Sequence, residues 1–209
     1  LHLLAMERIK EEELFEILES MEQQFLYLYQ SYVPKYRQSN WGVLQTTSIL
    51  QNAAWFGECF CLEEMKQIAE WAKDELLDQL ESQIYGDGSH WEQSMMYHIE
   101  VLNSVTTMLV FRKRAGVVTP KRAEEILYGM YDYVMHAAGP DHLQIAQGDS
   151  DVTDIRDVMT RGAMLFEESA FKYAGYEEPD LESIWCFGME QKEQYLKLKS
   201  KQPEILNGL

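Results

Sequence analysis

The stretch YGDGSHWEQSMMYH, Tyr85 to His98, divides the chain and sets how the rest is read. Gly86-Asp87-Gly88 predicts a tight turn: glycine takes positive φ without a side-chain clash, and Asp hydrogen-bonds the backbone ahead of it. Ser89 stands three residues before Glu92, the spacing of a capping box at a helix start. Trp91, Met95, Met96, His98, Ile99, Leu102, Val105, Leu109 and Val110 then recur at helical intervals. Tyr97 is thereby expected about two turns into a helix, with His98 beside it. By residue type alone, such a Tyr is a packed aromatic with a satisfied hydroxyl.

The chain has 209 residues, 46% hydrophobic and 25% charged, with only 5 prolines. That composition supplies a sizeable core and excludes a disordered chain. Helix formers dominate, and we expect one all-α domain over residues 1–209. The net charge of −17 argues against nucleic acid as a partner, because phosphate binding needs a basic face. It also repels polyanionic sugars at long range unless a local basic cleft overrides it. Arg112-Lys113-Arg114 and Lys121-Arg122 read as a solvated helix end and loop. Cys59, Cys61 and Cys186 make neither a disulfide framework nor a zinc site. They read as small core or half-buried residues. No run is long enough to span a bilayer and no signal peptide is visible, so no membrane partner is expected. The chain begins at Leu1 without an initiator Met, and we expect a piece of a longer protein.

In order, Leu3 to Val33 predicts one long helix, or two with a bend, with Leu14, Ile17, Leu18, Met21, Phe25, Leu28 and Tyr32 as the apolar stripe and Pro34 as the end. Ser39 or Asn40 is placed to cap a second helix, from Trp41 to Phe60. Its small residues Gly42, Ser48, Ala53, Ala54 and Gly57 admit close neighbours. A third helix spans Leu62 to Ile84, and the fourth follows the Asp87-Gly88 turn to Gly116. Thr119-Pro120 starts a fifth, with Thr119 as cap. After the polar loop Asp141 to Asp151, a sixth runs from Asp154 to Ala174. A seventh, weaker segment runs from Pro179-Asp180 to Leu198. Short loops make neighbours antiparallel, and no repeat of fixed period supports a regular solenoid.

Three polar spots lie at helix starts or in loops: Ser39-Asn40-Trp41, Asp87 to His98, and Gly148-Asp149-Ser150-Asp151. In a barrel of hairpins such ends gather around one mouth, where ligands sit. DGSHWEQSMMYH (Asp87 to His98) resembles the "DG…E.S..YH" segment of the heparinase II/III-like polysaccharide lyases. SNWGVLQTTSIL (Ser39 to Leu50) resembles their Asn-containing helix start. GDSD (Gly148 to Asp151) resembles their "GD.D" loop, with Pro140-Asp141-His142 in place of the preceding "PDG" turn. The blocks stand in the family's order.

The resemblance implies an all-α fold, an incomplete α/α toroid of helical hairpins, from a bacterial lyase that lacks its C-terminal β-sandwich domain here. It implies β-elimination on an acidic, uronate-containing polysaccharide such as a glycosaminoglycan, with no cofactor and no metal. Location, periplasmic or cytoplasmic, stays open. The C5 proton of a uronate is poorly acidic beside a charged carboxylate, so a neutral or cationic donor must offset that charge. Asn40 matches that role. Tyr97 matches the phenol that protonates the departing oxygen; to act also as base it needs help from the surrounding field. A His from the second domain completes the family's site. This sequence carries Trp41 where many relatives carry His, and Met95 where they carry Pro.

Substrate-binding candidates are Trp41, Trp91, Glu92, His98 and Arg156. Trp41 either stacks on a sugar or packs, Asn40 is alternatively a helix cap, and His98 is rather a supporting residue. Arg112, Lys113, Arg114 and Arg156 are candidates for carboxylate or sulfate contacts. Asp149 and Asp151 read as helix-start or loop-stabilising residues, since their spacing does not match a calcium loop. Two other functions stay open. A helical interaction module would show an exposed apolar groove. A glycoside hydrolase of α/α type would face two of Asp87, Asp149 and Asp151 into one cleft. The lyase requires Tyr97 and Asn40 to share one open face.

Overall fold

A computed structural model describes residues 8–117 and 119–203. Among these residues the elements are α1 (Glu11–Ser31), a 3-10 turn (Pro34–Gln38), α2 (Asn40–Cys59), α3 (Glu63–Gln83), α4 (Met95–Arg114), α5 (Lys121–Ala137), α6 (Arg156–Phe166), α7 (Ser169–Ala174), α8 (Leu181–Phe187) and α9 (Met189–Lys197), with no strand. The only β pairing among them is two isolated bridges, Ile84 with His90 and Leu143 with Asp154.

The helices form two layers. α2 packs on α4 and α4 on α6; outside them α3 packs on α5 and α5 on α7. Each hairpin reverses the chain, so α2, α4 and α6 run the same way. The bond from Arg161 of α6 to Asn103 of α4 spans two points at similar depth from their helix starts, as parallel helices require. This is the expected partial α/α toroid. Its core runs between the layers through Leu50, Leu80, Leu102, Leu109, Leu127, Met130 and Met159, all buried. Each such side chain contributes about 1.5–3 kcal/mol by leaving water. Small residues act as the sequence suggests: a Cβ on Gly42 would lie 2.1 Å from the Tyr36 carbonyl oxygen, so the 3-10 turn sits directly on the first turn of α2.

Several boundaries differ from the sequence-based ones. The first helix, expected from Leu3, begins at Glu11 among the described residues, and residues 3–7 lie outside them. The expected capping box of Ser89 and Glu92 does not form, because α4 starts at Met95 with Ser94 as its cap. Ser89 instead donates from its N–H and its hydroxyl to Asp87, and Tyr85 to Trp91 fold into a tight hairpin. Tyr97 is therefore in the first turn of α4, not two turns in. Pro120 rather than Thr119 occupies the N-cap of α5, and Thr119 bonds the Glu124 side chain. The expected sixth helix breaks at Glu167, whose φ of 53 is left-handed, and the seventh breaks at Gly188. Cys59 and Cys61 are exposed, not core, because α2 ends there in solvent.

Candidate functional site

Because α2, α4 and α6 run the same way, their starts lie at one end of the array. Asn40 is the first residue of α2 and Tyr97 the third of α4, and the Gly148–Asp151 loop leads towards α6. Side-chain bonds tie the first to Glu92, just before α4, and the third to the start of α4 itself. Glu92 accepts from the backbone N–H of Asn40 at 2.9 Å and from its amide Nδ2 at 2.8 Å. Ser150 bonds the Ser94 hydroxyl at 2.9 Å and accepts from the N–H of Met96 at 3.1 Å. It thus satisfies one of the orphan donors that every helix start carries. That docking brings the neighbouring Asp149 to Tyr97, whose phenol donates to it at 3.0 Å. Gly148 permits the approach: its φ is +61, and a Cβ there would sit 3.2 Å from the Gln93 carbonyl.

A buried polar chain holds this end in place. The N–H of Glu92 donates to Nδ1 of His90 at 3.3 Å, so His90 carries its proton on Nε2 and gives it to Gln83 at 2.9 Å. The Gln83 amide in turn donates to the carbonyls of Arg37 and Ser39. Burial lowers the pKa of His90 below its ordinary value, which keeps this neutral tautomer. Further in, Arg37 forms a two-pronged ion pair with buried Glu75, which also accepts from the Tyr32 hydroxyl. The Arg37 bonds hold the Glu75 carboxyl below the usual range. Burial, and then Glu75, push Tyr32 up to about 12.

At Tyr97 the field is negative. The bond to Asp149, the charge of Asp149 and, more weakly, that of Glu92 raise its pKa. The phenol is therefore held protonated, and the help it would need to act as base is not supplied by these neighbours. The basic run of α4 offers no counter-charge: Lys113 lies roughly 24 Å further along the helix axis at 1.5 Å per residue. There Lys113 pairs with Glu124, and Arg114 bonds the Cys186 carbonyl.

A family model described as the heparinase II/III N-terminus matches residues 2–173. The chain belongs to the heparinase II/III family. It is a polysaccharide lyase-related domain, with α8 and α9 beyond the matched range. No curated protein and no solved structure matches the chain significantly.

Within this heparinase II/III domain the predicted site residues fall into two groups. Asn40, Glu92 and Tyr97 are joined through the contacts above, and Trp41 and Trp91 adjoin them in sequence. Trp41 is 65% exposed, so it does not pack. Trp91 is half-exposed, and its backbone N–H donates to the Gln83 carbonyl at 2.8 Å. His98 is 1% exposed, bonded to the Met130 carbonyl at 3.1 Å and stacked near Tyr133. It lies in the core and presents no surface to a sugar. Arg156 is engaged by Asp154, its guanidinium lying over the Tyr176 ring. Asn40 is buried, 7% exposed, whereas Tyr97 is half-buried; Asn40 is not a side-chain cap of its own helix, and its amide goes to Glu92. Asp87 is taken by Ser89 and Asp149 by Tyr97.

The roles of Glu92, Gln83 and His90 in fixing Asn40 are not readable from the sequence as local patterns. Glu92 reaches across 52 positions, and its three-residue spacing from Ser89 points to the wrong helix. Among the described residues no group of three His, Cys, Asp or Glu side chains is placed to hold a metal ion. No helix among them is long and apolar enough to cross a membrane.

Proposed function

We propose that this domain supplies one wall of the active site of a lyase that cleaves uronate-containing polysaccharide by β-elimination. The observation that carries the reading is that Asn40 and Tyr97 sit on neighbouring helix starts at one end of the array, linked through Glu92 and the Gly148–Ser150 loop. The Asn40 amide is the donor that offsets the uronate carboxylate as negative charge develops. A base removes the C5 proton, the electron pair forms the C4–C5 double bond, the C4–O4 bond breaks, and Tyr97 gives its proton to O4. The raised pKa of Tyr97 suits an acid held in its protonated form. The base belongs to a second, β-sandwich domain that completes the cleft. Trp41 and Trp91 offer their exposed indole faces for stacking on sugar rings. Arg156 is a rim contact for a carboxylate, in exchange with Asp154.

The test is the appearance of unsaturated uronate absorbance when the full-length protein meets a panel of uronic-acid polysaccharides, bacterial and glycosaminoglycan. The isolated domain is expected to be silent on the same panel.

A further inference from the structure

We infer that Glu92 is the positioning residue of this site: its carboxylate fixes the Asn40 amide so that an N–H, and not the carbonyl oxygen, meets the uronate carboxylate. The inference rests on the lyase function proposed above. An Asn side chain has a donor end and an acceptor end of nearly the same shape, and rotation by half a turn exchanges them. Turned the wrong way, Asn40 would present an oxygen to an anion. Glu92 prevents this because a carboxylate only accepts. Its Oε2 takes the Nδ2 proton at 2.8 Å, and its Oε1 takes the backbone N–H of the same residue at 2.9 Å. Capping the helix needs only the second of these bonds. The first adds nothing to the helix start and orients the side chain.

Glu92 is itself held. Its N–H goes to His90, His90 to Gln83, and Gln83 to the carbonyls of Arg37 and Ser39. The chain of bonds closes on the residue just before Asn40, so both partners are referred to one frame. Gln93 has a left-handed φ of 52, a conformation a non-glycine side chain keeps only when its surroundings enforce it. That strain lies between Glu92 and the start of the Tyr97 helix. With both oxygens engaged by Asn40, Glu92 acts through Asn40 rather than as a sugar contact.

The experiment compares Glu92→Gln, Asn40→Ala and the double variant in the full-length protein, on a uronate polymer and on its methyl ester. On the uronate, Glu92→Gln is expected to lower kcat/KM by roughly ten- to a hundredfold, the scale set by misplaced catalytic groups. On the ester, whose carboxyl carries no charge, the loss should shrink several-fold. The double variant should be no worse than Asn40→Ala, because the two residues form one unit. If Glu92→Gln does not fold by thermal melt, Glu92→Asp, too short to reach both donors, enters the same cycle. Additive losses, or equal losses on the two polymers, overturn the role given to Glu92. A wild-type protein that forms no product on any uronate overturns the lyase function itself, and this inference with it.

Discussion

The phenol of Tyr97 donates to Asp149, 52 positions further along the chain, at 3.0 Å. The bond exists because Ser150 docks on the start of α4 and carries Asp149 with it. A carboxylate facing a phenol opposes the phenolate, so the pair favours the acid form.

Asp149→Asn should therefore lower the pKa of Tyr97 towards its ordinary value. The readout is the phenolate absorbance of each protein minus that of its Tyr97→Phe counterpart. A Tyr97 midpoint above 10.0 in the wild type, falling in Asp149→Asn, is expected. Identical midpoints would mean that the two side chains do not pair in solution.

His98 gives the fold an acid weakness. Burial pulls its pKa from 6.5 to about 3. Between those values the unfolded chain binds a proton that the native chain does not. Stability from this group is thus complete above 6.5 and lost as pH falls towards 3. Urea unfolding at about pH 7 and about pH 5 should show roughly 2 kcal/mol more acid loss in the wild type than in His98→Gln. Equal losses would place the titration elsewhere.

Glu75 anchors the inner end of the polar chain. It is buried and binds Arg37 and Tyr32. Glu75→Ala removes the acceptor of the Tyr32 hydroxyl and leaves Arg37 with Asp78, at 3.7 Å, at a cost of roughly 2–4 kcal/mol, moderated because Arg37 is half-exposed. Chemical denaturation measures it; a change under about 0.5 kcal/mol, the scale of an ordinary surface substitution, would show that Arg37 and Tyr32 find water instead.

The turn before the site supplies an internal control. A Cβ on Gly88 would lie 2.1 Å from the Gly129 carbonyl oxygen, at a φ of +87, whereas nothing stands within 4 Å of one on Gly86. Gly88→Ala should lower Tm by several degrees, from a cost of about 1–3 kcal/mol. Gly86→Ala should leave Tm nearly unchanged. A reversed order would contradict the packing of this turn on α5.

What the sequence discloses here follows how local each signal is. The apolar stripes of α3 and α5 and the order of hairpins are periodic, and both appear as read. The three polar blocks are legible too, because parallel alternate helices bring their starts to one end. The start of α4 is not: Ser89 and Glu92 have capping-box spacing, but each is claimed by a better partner, Asp87 for one and Asn40 for the other. Trp41 is similar. Its residue type suggests burial, yet the neighbouring Asn40 is drawn inward by Glu92 and Trp41 faces outward. The break at Glu167 lies in a segment whose composition favours helix, and the packing of α7 on α6 overrides it, whereas the break at Gly188 falls on a poor helix former at a φ of 91.

The most direct measurement is unsaturated-uronate absorbance for the full-length protein and its Tyr97→Phe variant on the uronic-acid panel. We predict product from the wild type and a loss of at least about a hundredfold in the variant, the scale of a general acid, with Tm nearly unchanged. Product formed equally well by Tyr97→Phe would move the proton donor away from Tyr97 and contradict the account.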